Sequence, residues 1–175
     1  MAHSLNDLPS IEQLLDHVAM QLKQSLEQSN QALQAPCVIG LHTAGVWVAK
    51  ALQQRLGFQE CWSLNPDYYR DDFQQRGLGK NTLPSNLPAS IEGQHIILVD
   101  DVIFTGRTVR AAMNELFDYG RPASIQLLVL LDRGGRQLPI CANMIGATLC
   151  LTAQQHIKLK DHNQQLVWEM QTKDD

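Results

Sequence analysis

The chain has no excess of positive charge. Its 14 lysines and arginines are outnumbered by 18 aspartates and glutamates, giving a net charge of −4. A generic nucleic-acid binder carries a basic surplus, so that class is disfavoured, although a local basic patch is not. Cysteine is sparse: four residues, at 37, 61, 141 and 150, with no pair at CxxC spacing. No histidine cluster completes a metal site, and the thiols read as free and buried. No apolar run is long enough to cross a bilayer and no signal peptide is visible, so the sequence predicts a cytoplasmic protein. Neither repeats nor a linker divide the 175 residues. They suit a single domain, 1–175, with a full core.

What is present is an alternation of helical and strand patterns. Ile11, Leu14, Leu15, Val18, Ala19 and Leu22 follow one helical face and predict a helix from Ser10 to Ser29. Ser10 and Gln13 have the spacing of a capping box. The apolar run 36–41 predicts a buried strand, His42–Gly45 a turn, and Val46, Ala49, Leu52 and Leu56 a helix ending at Gly57. A strand is expected from Cys61 to Tyr69, with Pro66 marking an edge or a bulge. Residues 74–94 show little periodicity and read as a lid or binding loop. Ile96–Val99 reads as a strand buried on both faces. Val109, Ala112, Met113, Leu116 and Phe117 mark a helix stopped by a left-handed Gly120. Ile125–Leu131 is the next strand, with weaker ones near Met144-Ile145 and Leu149–Leu151. A hairpin is expected around Asn163. The order predicts an α/β fold with a mainly parallel open sheet flanked by helices.

One segment concentrates the chemistry: Val99-Asp100-Asp101-Val102-Ile103-Phe104-Thr105-Gly106-Arg107-Thr108. In open α/β sheets, ligands bind beyond the carboxyl ends of the strands. Two carboxylates at the end of a buried strand need a partner or a task, because burying charge is costly. Neighbouring carboxylates can accept hydrogen bonds from vicinal sugar hydroxyls. Thr105, Gly106, Arg107 and Thr108 stand just before a helix, whose free amides and positive dipole end suit a phosphate. A ribose clamp beside a phosphate cradle fits a ribose 5-phosphate group.

These residues resemble the fingerprint of the type I phosphoribosyltransferases. The likeness is closest to the pyrimidine operon attenuation protein/uracil phosphoribosyltransferase (PyrR) family. It runs through Ile97–Ile140 and takes in Thr43, Gly45, Ala49-Lys50 and Tyr69-Arg70-Asp71-Asp72. The resemblance implies a type I phosphoribosyltransferase fold with a mobile loop and a small hood. Asp100 and Asp101 would contact the ribose hydroxyls, and Thr105–Thr108 the 5-phosphate of phosphoribosyl pyrophosphate. His42, Thr43, Ala44 and Gly45 resemble the pyrophosphate loop, where the family often has a cis peptide. The stretch after Asp72 resembles the mobile loop; Arg70, Asp71, Arg76 and Lys80 flank or lie in it, and Arg70, Arg76 or Lys80 would neutralise pyrophosphate. Asp132–Ile140, beginning with Asp132, Arg133 and Gly134, resembles the base-recognising hood. Mg2+ would arrive with the substrate rather than on protein ligands. The implied reaction converts uracil and phosphoribosyl pyrophosphate to UMP and pyrophosphate, through an oxocarbenium-like transition state.

The chain departs from that pattern in several places. Ala44 stands where an arginine is usual and His42 where a lysine is common, which lowers positive charge near the pyrophosphate and predicts weak transferase activity. Gly135 replaces a common histidine, Cys141 an arginine and Met144 a tyrosine. The first helix carries Glu12, Asp16 and Glu27 against Lys23, so weak or absent binding to structured RNA is expected. A UMP-sensing RNA-binding regulator is the alternative reading. A purine phosphoribosyltransferase is the third, disfavoured because Asp132–Pro139 holds no aromatic residue to stack on a purine. The family resemblance implies a homodimer or a higher homo-oligomer.

Overall fold

A computed structural model describes residues 2–3, 7–28, 36–66, 83–152, 154–163 and 165–172. Residues 67–82, and with them Tyr69, Arg70, Asp71, Asp72, Arg76 and Lys80, lie outside the described residues. Strands β1 (Ala2–His3), β2 (Cys37–Leu41), β3 (Trp62–Leu64), β4 (His95–Ile103), β5 (Ser124–Asp132) and β6 (Met144–Leu149) form one sheet in the order β1-β6-β5-β4-β2-β3. Every pairing within it is parallel. Helices α1 (Ile11–Gln28), α2 (Ala44–Leu56) and α3 (Arg107–Tyr119) flank it. Strands β7 (Gln155–His162) and β8 (Gln165–Thr172) form a separate antiparallel hairpin turned at Asn163, whose φ is 54°.

Side-chain alternation along the strands explains the layers. Val38, Ile97, Val99, Leu128 and Leu130 face a core shared with Leu14, Leu15, Val18 and Leu22 of α1, Val48 and Leu52 of α2, and Ile157 and Leu159 of β7. Ile39, Ile96, Leu98, Leu127 and Val129 face the opposite core with Val109, Ala112 and Leu116 of α3. Each fully buried Leu or Ile stabilises the fold by about 1.5–3 kcal/mol relative to leaving it in water. The capping box forms as the spacing predicts: Ser10 N–H donates to Gln13 Oε1 (2.9 Å) and Gln13 N–H to Ser10 Oγ (3.2 Å). Arg55 of α2 pairs with Glu12 and with Asp16 (3.0 Å) of α1, joining the two helices at the surface.

Five expectations need correction. Of the thiols read as buried, Cys141 and Cys150 are exposed, because they lie in the loops on either side of β6. The strand read from Cys61 spans only Trp62–Leu64 and lies at the sheet edge, consistent with Pro66 removing a ladder donor. Gly120 does not adopt a left-handed helical cap; its φ of 155° and ψ of −174° are extended and still need glycine. A Cβ there would stand 3.2 Å from Glu92 Oε2. The two weak strands near 144 and 150 are one strand, Met144–Leu149, because its pairing with β5 runs without a break in register. Finally, β4 does not stop before Asp100. It continues through both aspartates to Ile103, paired with β5 as far as Asp132.

The chain passes from β2 outward to β3, then returns to β4 and proceeds the other way to β5 and β6. The reversal lies between β2 and β4, the place where open α/β sheets leave a crevice. Three loops therefore meet there: 42–43 after β2, 104–106 after β4, and 133–143 after β5.

Candidate active site

Asp100 and Asp101 occupy successive positions of β4, so their side chains leave opposite faces. Asp100 is buried, and its Oδ1 accepts the Asp101 N–H (3.0 Å). Asp101 turns toward the hairpin, and its Oδ2 accepts the Leu159 N–H (3.2 Å). Burial pushes the Asp101 carboxyl above the ordinary aspartate range. Hydrogen bonding with the Asp100 side chain and with the amides of Leu159, Val102 and its own residue pulls the other way. The pair is thus held in place by the backbone of β4 and β7 before any sugar arrives.

Gly106 precedes α3 with φ 87°, a left-handed conformation that glycine adopts without a Cβ penalty. Arg107 N–H donates to Thr105 Oγ1 (3.3 Å). The first-turn amides of Thr108 and Val109 have no carbonyl within the helix to bond, and the positive end of the helix dipole adds to them. The geometry is one that suits an anion, beginning at Thr105, four residues beyond the second acid.

The turn from β2 reaches the same place. The His42–Thr43 peptide is cis, as the resemblance implied, and His42 N–H extends the ladder to Leu64 O (2.9 Å). Gly45 then packs directly on β4: a Cβ at this position would stand 2.4 Å from Val99 O and 3.0 Å from Asp100 Cα. Only glycine lets the start of α2 lie this close to the acids.

The loop after β5 is fused to the turn ahead of α3. Gln137 and Leu138 both donate their N–H to Thr105 O (3.0 and 3.2 Å), and Arg107 Nε donates to Gln137 Oε1 (2.9 Å). Asp132 closes β5, and both of its carboxylate oxygens serve the turn that follows. Oδ1 accepts the Gly134 N–H (2.8 Å) and Oδ2 the Arg136 Nη2 (2.6 Å). Arg136 further donates from Nη1 to Phe104 O (2.7 Å) and from Nε to Ile140 O (3.0 Å). Arg133 is buried, which lowers its pKa. Its Nη2 lies 3.4 Å from Thr152 O, its Nη1 lies 3.4 Å from His156 Nδ1, and its guanidinium sits 4.0 Å from the centre of the Phe104 ring.

Below the cradle, Glu115 of α3 accepts the Ser85 hydroxyl (2.5 Å). Ser85 Oγ in turn accepts the Asn65 N–H (2.9 Å), and Asn65 Nδ2 donates to Leu83 O (2.7 Å). Residues 65 and 83 are thereby tied to α3.

Sequence reasoning missed Phe104, Arg136 as a brace, Glu115, and the hairpin residues His156 and Leu159. The segment Asp132–Pro139 itself holds no aromatic residue, but Phe104, just ahead of Thr105, packs against it at Gly135. Among the described residues, no group of three or more histidine, cysteine, aspartate or glutamate side chains could hold a metal ion. Nor is any helix among them long and apolar enough to cross a membrane.

The profile of the phosphoribosyl transferase domain family matches residues 1–158. Over 153 residues the chain is 51% identical to the bifunctional protein PyrR of Pseudomonas fluorescens, covering 87% of this chain and 90% of that protein. The PyrR protein of Pseudomonas aeruginosa is 48% identical over the same length, with 87% and 89% covered. Among solved structures, the hypoxanthine phosphoribosyltransferase of Trypanosoma cruzi superposes with a TM-score of 0.61 at 21% identity, over 79% of this chain and 78% of that one. A hypoxanthine-guanine phosphoribosyltransferase from Bacillus anthracis gives 0.61 at 21%, over 80% and 81%. The latter two share the fold. With the carboxylate pair, the glycine turn ahead of α3 and the loop after β5 at the carboxyl end of the sheet, and with about half of the aligned residues held in common with those relatives, the chain belongs to the phosphoribosyl transferase domain family and, within it, to the PyrR proteins.

Proposed function

We propose that the chain is a uracil phosphoribosyltransferase that converts uracil and phosphoribosyl pyrophosphate to UMP and pyrophosphate. The observation that carries this reading is the convergence of three loops on adjacent strands β5, β4 and β2, with the acids between the phosphate cradle and the pyrophosphate turn. In this reading Asp100 and Asp101 accept hydrogen bonds from the ribose hydroxyls. The amides of Gly106, Thr108 and Val109 and the hydroxyls of Thr105 and Thr108 hold the 5-phosphate. The turn His42–Gly45 faces the pyrophosphate, with Arg70, Arg76 and Lys80 as the further cations for it. The backbone of the hood, braced by Arg136 and Asp132, meets the base.

The bond from ribose C1 to the pyrophosphate oxygen breaks with its electron pair leaving on pyrophosphate. Uracil N1 forms the new bond and gives up its proton. Positive charge develops on the sugar ring, where the two carboxylates favour it electrostatically. Mg2+ would arrive on the oxygens of the substrate's pyrophosphate rather than on protein ligands. When bound, the ion would neutralise charge on the leaving group.

Pyrophosphate release measured with uracil, hypoxanthine and guanine in turn tests the reading. Turnover with uracil is expected, at a low rate given Ala44 and His42. Turnover with a purine alone would overturn it. The reading also takes the chain as a homodimer, which light scattering checks.

A second reading, a UMP-sensing RNA-binding regulator, draws on the word bifunctional in the name of the relatives. We propose that RNA binding is weak. Glu12, Asp16 and Glu27 line α1 beside a single lysine, and Arg55 is already engaged by two of these acids. Filter binding across a salt series tests this, and tight binding at physiological salt would refute it.

A further inference from the structure

Phe104 is a large apolar side chain left partly exposed, 36% of its surface, in the middle of the site. It stands three residues after Asp101 and one before Thr105 in the chain. Its backbone oxygen is held by Arg136 (2.7 Å). One face of the ring is covered by the Arg133 guanidinium at 4.0 Å. Its edge lies against the hood at Gly135: a Cβ there would stand 2.3 Å from Phe104 Cε2 and 2.9 Å from Cδ2. Neighbouring Gly134 has nearly the same φ, 69° against 70°, yet a Cβ on it would meet nothing within 4 Å. The crowding at 135 is therefore specific to the ring, and the missing side chain at 135 is the space that Phe104 fills.

We propose that Phe104 sets base size: its ring occupies the volume beside the hood that the second ring of a purine would need, so the site takes a single-ring base. This rests on the uracil reading above. The ribose clamp lies on one side of Phe104 and the hood on the other, and a base joined to ribose C1 must enter between them. Here Arg133 takes a face, Gly135 closes an edge, and the interaction with the cation keeps the ring from swinging out. The ring therefore acts as a wall.

The experiment is calorimetric titration of UMP and GMP into the wild-type protein and into Phe104→Ala, Phe104→Leu and Phe104→Tyr. Both nucleotides share ribose 5-phosphate, so the ratio of their dissociation constants isolates the base. In the wild type UMP is expected to bind more tightly than GMP. Phe104→Ala should move the ratio toward GMP by at least tenfold, Phe104→Leu by less, and Phe104→Tyr should restore it. A ratio unchanged within twofold in Phe104→Ala, in protein with wild-type circular dichroism, overturns the role of Phe104. Tighter GMP than UMP in the wild type overturns the uracil reading, and that result comes from a different protein sample.

Discussion

Gly45 offers a test in which local propensity and tertiary geometry predict opposite signs. It is the second residue of α2, and its φ is not in the left-handed region. Replacing an unstrained helical glycine by alanine stabilises a helix by roughly 0.5–1 kcal/mol. The new Cβ, however, would stand 2.4 Å from Val99 O, a backbone atom of the central strand. Ordinary carbon–oxygen approach is about 3.3–3.6 Å, so α2 or β4 must move by roughly 1 Å. Overpacking of this kind costs about 1–3 kcal/mol, and the net expectation for Gly45→Ala is a loss of roughly 1–2 kcal/mol. In a chain of this size that lowers Tm by about 2–8 °C. Because the displaced atoms adjoin Asp100 Cα (3.0 Å from the same Cβ), binding should suffer as well. A shift near 1 Å in a site can cost on the order of 100-fold. Urea denaturation and calorimetry with phosphoribosyl pyrophosphate and Mg2+ read both quantities. A variant as stable as wild type that binds with unchanged affinity would mean that the pyrophosphate turn is not wedged against β4, and the assembly of the site argued above would fall with it.

Asp101→Asn, or Thr105→Ala combined with Thr108→Ala, should weaken phosphoribosyl pyrophosphate binding at least tenfold, about 1.4 kcal/mol; unchanged affinity by calorimetry counts against both assignments. Burial, with Asp118 adding to it and the Ser85 hydrogen bond opposing it, holds the Glu115 carboxyl above the usual 4.5. Between that value and the raised one the folded chain keeps a proton that the unfolded chain has released, so stability falls as pH rises through the interval. Glu115→Gln should flatten that fall; denaturation curves of both proteins at several pH values decide it, and a variant whose stability falls as steeply as that of wild type over the same interval refutes the account. Burial raises the Cys37 thiol to about 11, so the thiolate that reacts is scarce near neutrality. Iodoacetamide labelling followed by mass spectrometry should modify exposed Cys141 and Cys150 well before Cys37, and equal rates would contradict its burial.

The sequence alone carried the order of elements from α1 to β5, the two faces of each strand and the glycine turn ahead of α3. All of these are short-range properties. Apolar spacing reports which face of an element is buried, and a glycine between threonines ahead of a helix reports an exposed set of amides. The capping box at Ser10 and Gln13 is legible for the same reason, since both partners lie within one turn. Tertiary structure decided what meets what. The adjacency of β2, β4 and β5 brings residues 42–45, 100–108 and 132–140 to one end of the sheet, and nothing within any of those segments encodes it. Likewise Asp101 receives the amide of Leu159, Glu115 receives the hydroxyl of Ser85, and Phe104 fills the room left at Gly135. Such contacts form between segments tens of residues apart, where local pattern carries no distance information and only the closed packing of sheet, helices and hairpin sets the neighbours.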